Sequence, residues 1–173
     1  REFEEPVYSN ISKDYTINMA WHNVSNEDAN SYVLETIAGT KGLTTIAPTW
    51  YSLADTEGNI TSLADSSYVN YAHQSNLEVW AVLRDFHGGI NSYDETYDVL
   101  SYTSKRTRVI NQVIASAIET GVDGINLDFE LISAECGEHY IQFVRELSVR
   151  CRQNGLVLSV DNYVPQPYNA HYD

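Results

Sequence analysis

The segment Gly121-Val122-Asp123-Gly124-Ile125-Asn126-Leu127-Asp128-Phe129-Glu130 decides how the chain is read. After Gly124, apolar and polar residues alternate to its end. That alternation marks a β-strand, because successive side chains leave a strand on opposite faces. Ile125, Leu127 and Phe129 therefore share one face, and Asn126, Asp128 and Glu130 share the other. The apolar face suits packing beneath helices. The polar face then looks into the interior and the carboxyl-end mouth of a parallel sheet, where such folds keep their chemistry. Carboxylates two positions apart on one strand face are separated by about 6 to 7 Å. In a low-dielectric pocket both cannot ionise freely, so one is pushed up toward the range of a general acid near neutral pH. The same oxygens also suit a solvated strand end or a Ca²⁺ site, and the pair alone does not choose among these.

Outward from this segment, strand and helix alternate. Upstream, Tyr15–Trp21 reads as a first strand, and Asn26 caps a helix over Glu27–Ala38 that Gly39 closes. A second strand, Leu43–Ala47, stops at Pro48, and Asp55-Thr56-Glu57-Gly58-Asn59 has turn chemistry. A short helix spans Ser67–Gln74 and a third strand Glu78–Leu83, followed after Asp85 by a polar loop with Gly88-Gly89. Val109, Ile110, Val113, Ile114, Ala117 and Ile118 recur at helical spacing within Ser104–Glu119, and Gly121 supplies the stop. Downstream, Glu135–Gln153 forms an amphipathic helix through Tyr140, Val144, Leu147 and Cys151, and Leu156–Val160 is a fifth strand. Such alternation implies an α/β fold with a parallel sheet and right-handed crossovers, either open and doubly wound or closed as a barrel. A dinucleotide-binding sheet wants a Gly-rich turn after its first strand. Here that turn is Trp21-His22-Asn23-Val24-Ser25, so the dinucleotide reading is weak.

Composition narrows the function. The chain has 173 residues, 43% of them hydrophobic, which suits one domain with a real core and excludes an acidic disordered segment. Its net charge of −14 repels phosphate, so nucleic acid and anionic membrane are poor partners. No apolar run is long enough for a membrane span, and no secretory signal pattern is expected here. Thirteen Tyr and three Trp fit sugar stacking and core packing alike. Cys136 and Cys151, placed on one helix, lie about 22 Å apart, too far for a bridge, and read as packing residues. The histidines lack metal-ligand spacing, so neither a metal nor another cofactor is expected.

The stretch Asp123–Glu130 closely resembles the Asp-x-x-Asp-x-Asp-x-Glu signature of glycoside hydrolase family 18, the chitinases and related N-acetylglucosaminidases. That family is built on a (β/α)8 barrel with the signature on the fourth strand, which is also its rank in the reading above. Most of the chain takes part in the resemblance, which is nearest to the spore and cell-wall branch. In that branch, strands similar to Thr45-Ile46-Ala47-Pro48-Thr49-Trp50 and Val79-Trp80-Ala81-Val82-Leu83 recur. Asn126 departs from the chitinase pattern, where an Asp beneath the residue matched by Asp128 tunes its protonation. Asn stays polar but cannot ionise, and the same replacement resembles the spore and cell-wall branch.

The resemblance implies a retaining, substrate-assisted glycosidase acting on β-linked N-acetylglucosamine glycans, with peptidoglycan preferred over chitin. By position, Glu130 protonates the glycosidic oxygen. Asp128 orients the N-acetyl group whose carbonyl attacks the anomeric carbon, an exception to the scheme of two catalytic carboxylates. Asn126 and Asp123 are supporting residues, Asp123 at the strand entry. Trp50, Tyr51, Trp21, Asp161 and Tyr163 stand where substrate-binding mouth residues gather, with packing as the competing role for the aromatics. The partner is then an N-acetylglucosamine-containing polysaccharide, and the location is extracellular or associated with cell wall or spore. With about five β/α units, residues 1–173 correspond to a partial TIM barrel, the N-terminal portion of one catalytic barrel, poorly active alone. Open sheet edges make self-association an expectation. Two other readings stand beside this one: a lectin-like carbohydrate-binding module on the same scaffold, and an acidic metal-binding or interaction domain.

Overall fold

The computed structural model describes residues 13–39 and 41–161. The alternation read from the sequence is present. The elements are β1 Met19–His22, α1 Val33–Ala38, β2 Thr45–Pro48, β3 Tyr51–Leu53, β4 Ile60–Ser62, α2 Ser66–Gln74, β5 Glu78–Arg84, α3 Tyr93–Leu100, α4 Thr103–Thr120, β6 Gly124–Asp128, α5 Gly137–Gln153 and β7 Val157–Val160. Five strands pair in parallel in the order β1-β2-β5-β6-β7, the order in which they occur along the chain. Among the described residues the sheet does not close: β3 also joins the end of β5 in parallel and carries β4, so β1, β4 and β7 are its edges. This is the α/β architecture of a partial barrel.

Helix ends follow their capping residues. Asn26 accepts from the Ala29 amide, but the segment it caps begins as a 3-10 helix over Glu27–Tyr32 before α1. Asp65 caps α2 by accepting from Ser67 N. Gly121 ends α4 in the left-handed conformation, at φ +79°, which a side chain would disfavour. Gly124 serves a different need, close approach. A Cβ there would lie 3.0 Å from Trp80 Cδ1 and 2.8 Å from Val157 O, so bare backbone lets Trp80 lie across β6.

The face of the sheet turned toward the helices holds Ile46, Val79, Ala81, Leu83, Ile125, Leu127 and Phe129. Against it pack Tyr68, Val69 and Ala72 of α2, Val109, Val113 and Ala117 of α4, and Tyr140, Phe143 and Leu147 of α5. Each large side chain buried this way contributes about 1.5 to 3 kcal/mol, which is why the 3.6-residue and two-residue periods specify the layers together. Arg106 joins α4 to α5, donating from Nε to Glu146 Oε2 at 2.9 Å and from Nη1 to Leu100 O at 2.7 Å.

Several expectations change. β1 is shorter than the 15–21 span and reaches His22. After β2 the chain turns at Thr49-Trp50 and forms the antiparallel hairpin β3–β4, with Asp55–Asn59 as its tip. The polar loop after Asp85 contains a helix, α3. Ile118 is 60% exposed, and Phe143 rather than Val144 is fully buried on α5. Cys136 lies in a 3-10 turn ahead of α5. Both thiols are free and buried, and burial pushes them up to about 11 for Cys136 and about 12 for Cys151.

Candidate active site

Register assembles the site. Ser52 of β3 is the partner of Arg84 on β5, and Arg84 is the partner of Asp128 on β6. Asp161 N donates to Leu127 O at 2.9 Å, which sets Asp161 next to Asp128 at the end of β7. Ser52, Arg84, Asp128 and Asp161 thus form one row across the carboxyl end of the sheet. A second row lies beneath it, with Val82, Asn126 and Ser159 in register.

Asp128 is 9% exposed and its carboxyl is pushed up to about 6. Burial is the largest cause, followed by the negative charges of Glu130, Asp161 and Asp85, with Arg84 opposing. Of the pair it is Asp128, walled by neighbouring strands at the strand end, that is raised, whereas the resemblance gives the acid role to Glu130. Glu130 lies just beyond β6 and is exposed.

Asp85 fixes the backbone there. It is fully buried, and its Oδ1 accepts from Glu130 N at 3.1 Å. Its Oδ2 accepts from Leu131 N at 2.9 Å and from Thr96 Oγ1 of α3 at 3.0 Å. Burial raises this carboxyl above its ordinary value despite those hydrogen bonds. A single carboxylate therefore ties the end of β5 to α3 and to the segment carrying Glu130.

Asn126 is fully buried, its Nδ2 donating to Ser159 Oγ at 3.3 Å and approaching Met19 Sδ at 3.9 Å. Its Oδ1 has no hydrogen-bond partner among the described residues. Asp123 lies at the other end of β6, away from the mouth. Its Oδ2 accepts from Val79 N at 2.8 Å and meets His73 Nε2 at 2.8 Å.

The other expected residues divide. Trp21 is 43% exposed on the inner side of β1, in register with Ala47. Asp161 joins the carboxylate row. Trp50 is buried, its Nε1 donating to Asn30 Oδ1 at 2.8 Å and its ring edge-on to Tyr68. Tyr51 turns behind the sheet, where its hydroxyl bonds Ser116 Oγ of α4 at 2.7 Å, and so does not reach the mouth. Tyr163 lies outside the described residues. Arg84 and Asp85 were missed, although they directly follow the apolar run of β5, the position from which mouth residues come. Among the described residues no three His, Cys, Asp or Glu side chains converge as metal ligands.

Comparison with known proteins gives the same direction. A model of glycosyl hydrolases family 18 matches residues 15–173. The uncharacterized glycosylase YvbX of Bacillus subtilis is 28% identical over 93 residues, 53% of this chain and 27% of that protein. Among solved structures, the spore cortex-lytic enzyme SleL of Bacillus cereus superposes with a TM-score of 0.70 at 24% identity, covering 82% of this chain and 34% of its own. A chitinase from Chromobacterium violaceum gives a TM-score of 0.67 at 17% identity, covering 84% and 45% respectively. The chain thus spans about a quarter of the curated relative and less than half of these structures. With its strand order, its acidic strand end and a family match running from residue 15 to residue 173, the chain belongs to glycosyl hydrolases family 18.

Proposed function

We propose that the chain carries the acid machinery of a retaining, substrate-assisted glycosidase that cleaves β-linked N-acetylglucosamine glycans, peptidoglycan in preference to chitin. The observation that carries this reading is the carboxyl end of β6. There, a buried carboxyl raised to about 6 stands two residues before a carboxylate whose backbone is clamped by Asp85.

In this reading the Glu130 carboxyl gives its proton to the glycosidic oxygen as the bond from that oxygen to the anomeric carbon breaks. The acetamido carbonyl oxygen of the same sugar attacks that carbon and closes a cyclic intermediate. Asp128 accepts from the acetamido N–H and offsets the positive charge that develops. Water then opens the ring from the opposite face, returning its proton to Glu130, and two inversions leave the configuration retained. Tethering the nucleophile supplies much of the acceleration, because effective molarities of oriented groups reach about 10⁵ to 10⁸ M. Asn126 supports Asp128 from the row beneath, Asp123 anchors the strand entry, and Trp21 and Asp161 border the sugar.

The name of the Bacillus cereus neighbour, a spore cortex-lytic enzyme, supports a substrate in the cell wall or spore and action outside the cytoplasm. No helix among the described residues is long and apolar enough to cross a membrane. The described strands correspond to five β/α units of such a barrel.

A thiazoline analogue of the cyclic intermediate tests the mechanism. Competitive inhibition, with loss of turnover on substrates lacking the N-acetyl group, is expected. Turnover of de-acetylated glycan at the same rate contradicts it.

A further inference from the structure

A polar cleft of about 270 Å³ opens beside the acidic row. Asn23 past β1, Thr49 past β2, Ser52 and Thr61 of the hairpin, and Arg84 and His87 line it, and no Asp or Glu does. In a chain of net charge −14 that is an unusual patch. Arg84 is the residue shared by this cleft and the acidic row.

The conformation of Arg84 is informative. Although it is the register partner of Asp128, it forms no ion pair with any described residue. Its Nε donates to Ser52 Oγ at 3.4 Å, and its guanidinium carbon lies 5.4 Å from the Phe86 ring centre. Both Nη groups are left without a hydrogen-bond partner among the described residues. A half-buried guanidinium that donates to Ser52 and pairs with neither nearby acid offers a planar fork of donors that matches the two oxygens of a carboxylate. Asn23 adds to this. Its Oδ1 accepts from Thr49 Oγ1 at 3.4 Å, so its N–H groups remain for a ligand. His87 is held at φ +72°, a conformation that a non-glycine residue keeps only when its surroundings impose it.

We propose that Arg84 and this cleft bind a carboxylate-bearing substituent of the glycan, of which the free lactyl ether of a muramic acid residue that carries no stem peptide is the example in a bacterial wall. The inference rests on the glycan reading above and deepens it by naming what distinguishes the preferred polymer. The volume is below the usual range of about 300 to 1,000 Å³ for larger ligands, so it suits one ring substituent rather than a peptide. Asp128 and Glu130 repel a carboxylate, whereas Arg84 attracts it. The two opposed fields orient the glycan, with its neutral acetamido group over the acids and its acidic substituent in the cleft.

The test is a titration of the full chain with three disaccharides: N-acetylglucosaminyl-N-acetylmuramic acid, its methyl ester, and neutral N,N′-diacetylchitobiose. Backbone amide shifts of Ser52, Arg84 and His87 report the binding. The acid is expected to bind about tenfold more tightly than its ester at low salt, the size of one charge-assisted hydrogen-bonded pair. That ratio is expected to shrink as NaCl is added and to collapse in Arg84→Gln, with Arg84→Lys between. Free lactate is expected to displace the acid only at far higher concentration. Equal binding of acid and ester by the unaltered chain overturns the inference while leaving the glycan reading intact, and this comparison needs no variant. Absence of saturable binding by all three sugars overturns the glycan reading and the inference with it.

Discussion

Replacing Asp128 by Asn removes a charge that the fold holds at a cost, so the variant is expected to be more stable than the parent above pH 6. The sign follows from proton linkage. The Asp128 carboxyl titrates near 3.8 in its ordinary state and at about 6 in the folded chain. Between those values the folded state binds more protons than the unfolded state, so stability falls as pH rises through that window. A shift of about two units corresponds to about 3 kcal/mol at most. The carboxyl stands at an open mouth, and screening by water reduces this to about 1 to 2 kcal/mol. The attraction of Arg84, which opposes the shift, is already contained in it. Urea unfolding of parent and variant from pH 4 to pH 8 measures the difference directly, and other carboxylates that titrate alike in both chains cancel. The difference is expected to be near zero at pH 4 and to reach its full value by pH 7, with midpoints in thermal melts moving by about 3 to 6 °C. A flat difference across this range, or a variant less stable than the parent at pH 7, refutes the claim that burial and neighbouring acids load this carboxyl.

Two further substitutions test what holds the site and the fold. Asp85→Ala leaves the Glu130 and Leu131 amides without their acceptor. It is expected to cost about 2 to 4 kcal/mol and to speed hydrogen exchange at both amides, and unchanged exchange there contradicts the clamp. Arg106→Leu removes the ties to Glu146 and Leu100 O across α4 and α5. A loss of about 2 to 4 kcal/mol in chemical denaturation is expected, and a loss below about 0.5 kcal/mol would place the pair with weak surface bridges.

How much of this was legible in the sequence depends on the length of each signal. The β6 alternation, the apolar run of β5 and the helical stripe of α4 are long enough for their periods to be unambiguous. The hairpin was not legible, because β3 and β4 are three residues each and follow Pro48, which reads as a stop. Pro48 in fact sits in register opposite His22, and the chain bends after it and resumes against the end of β5. α3 did leave a signal. Ser92 and Glu95 have the spacing of a capping box: Ser92 Oγ accepts from Glu95 N at 3.3 Å, and Glu95 Oε1 accepts from Ser92 Oγ at 2.8 Å and from Asn91 N at 3.4 Å. The aromatics show the limit of position alone. Trp50 and Tyr51 both stand past a strand end, but Trp50 lines the cleft beside the acidic row while its indole holds Asn30, and the Tyr51 hydroxyl finds Ser116 behind the sheet, partners 20 and 65 residues away that no local pattern reveals. Asp85 eluded the reading for the same reason, since its role comes from backbone amides about 45 residues downstream.

The most direct measurement of the central claim is release of reducing ends from peptidoglycan and chitin oligomers. It is made on the chain and on the chain joined to the strands that complete the family's barrel, each with and without Glu130→Gln. The account predicts turnover that is strong only with the completed barrel, faster on peptidoglycan, and abolished by Glu130→Gln while glycan binding remains. Turnover that survives Glu130→Gln at the parent rate contradicts it.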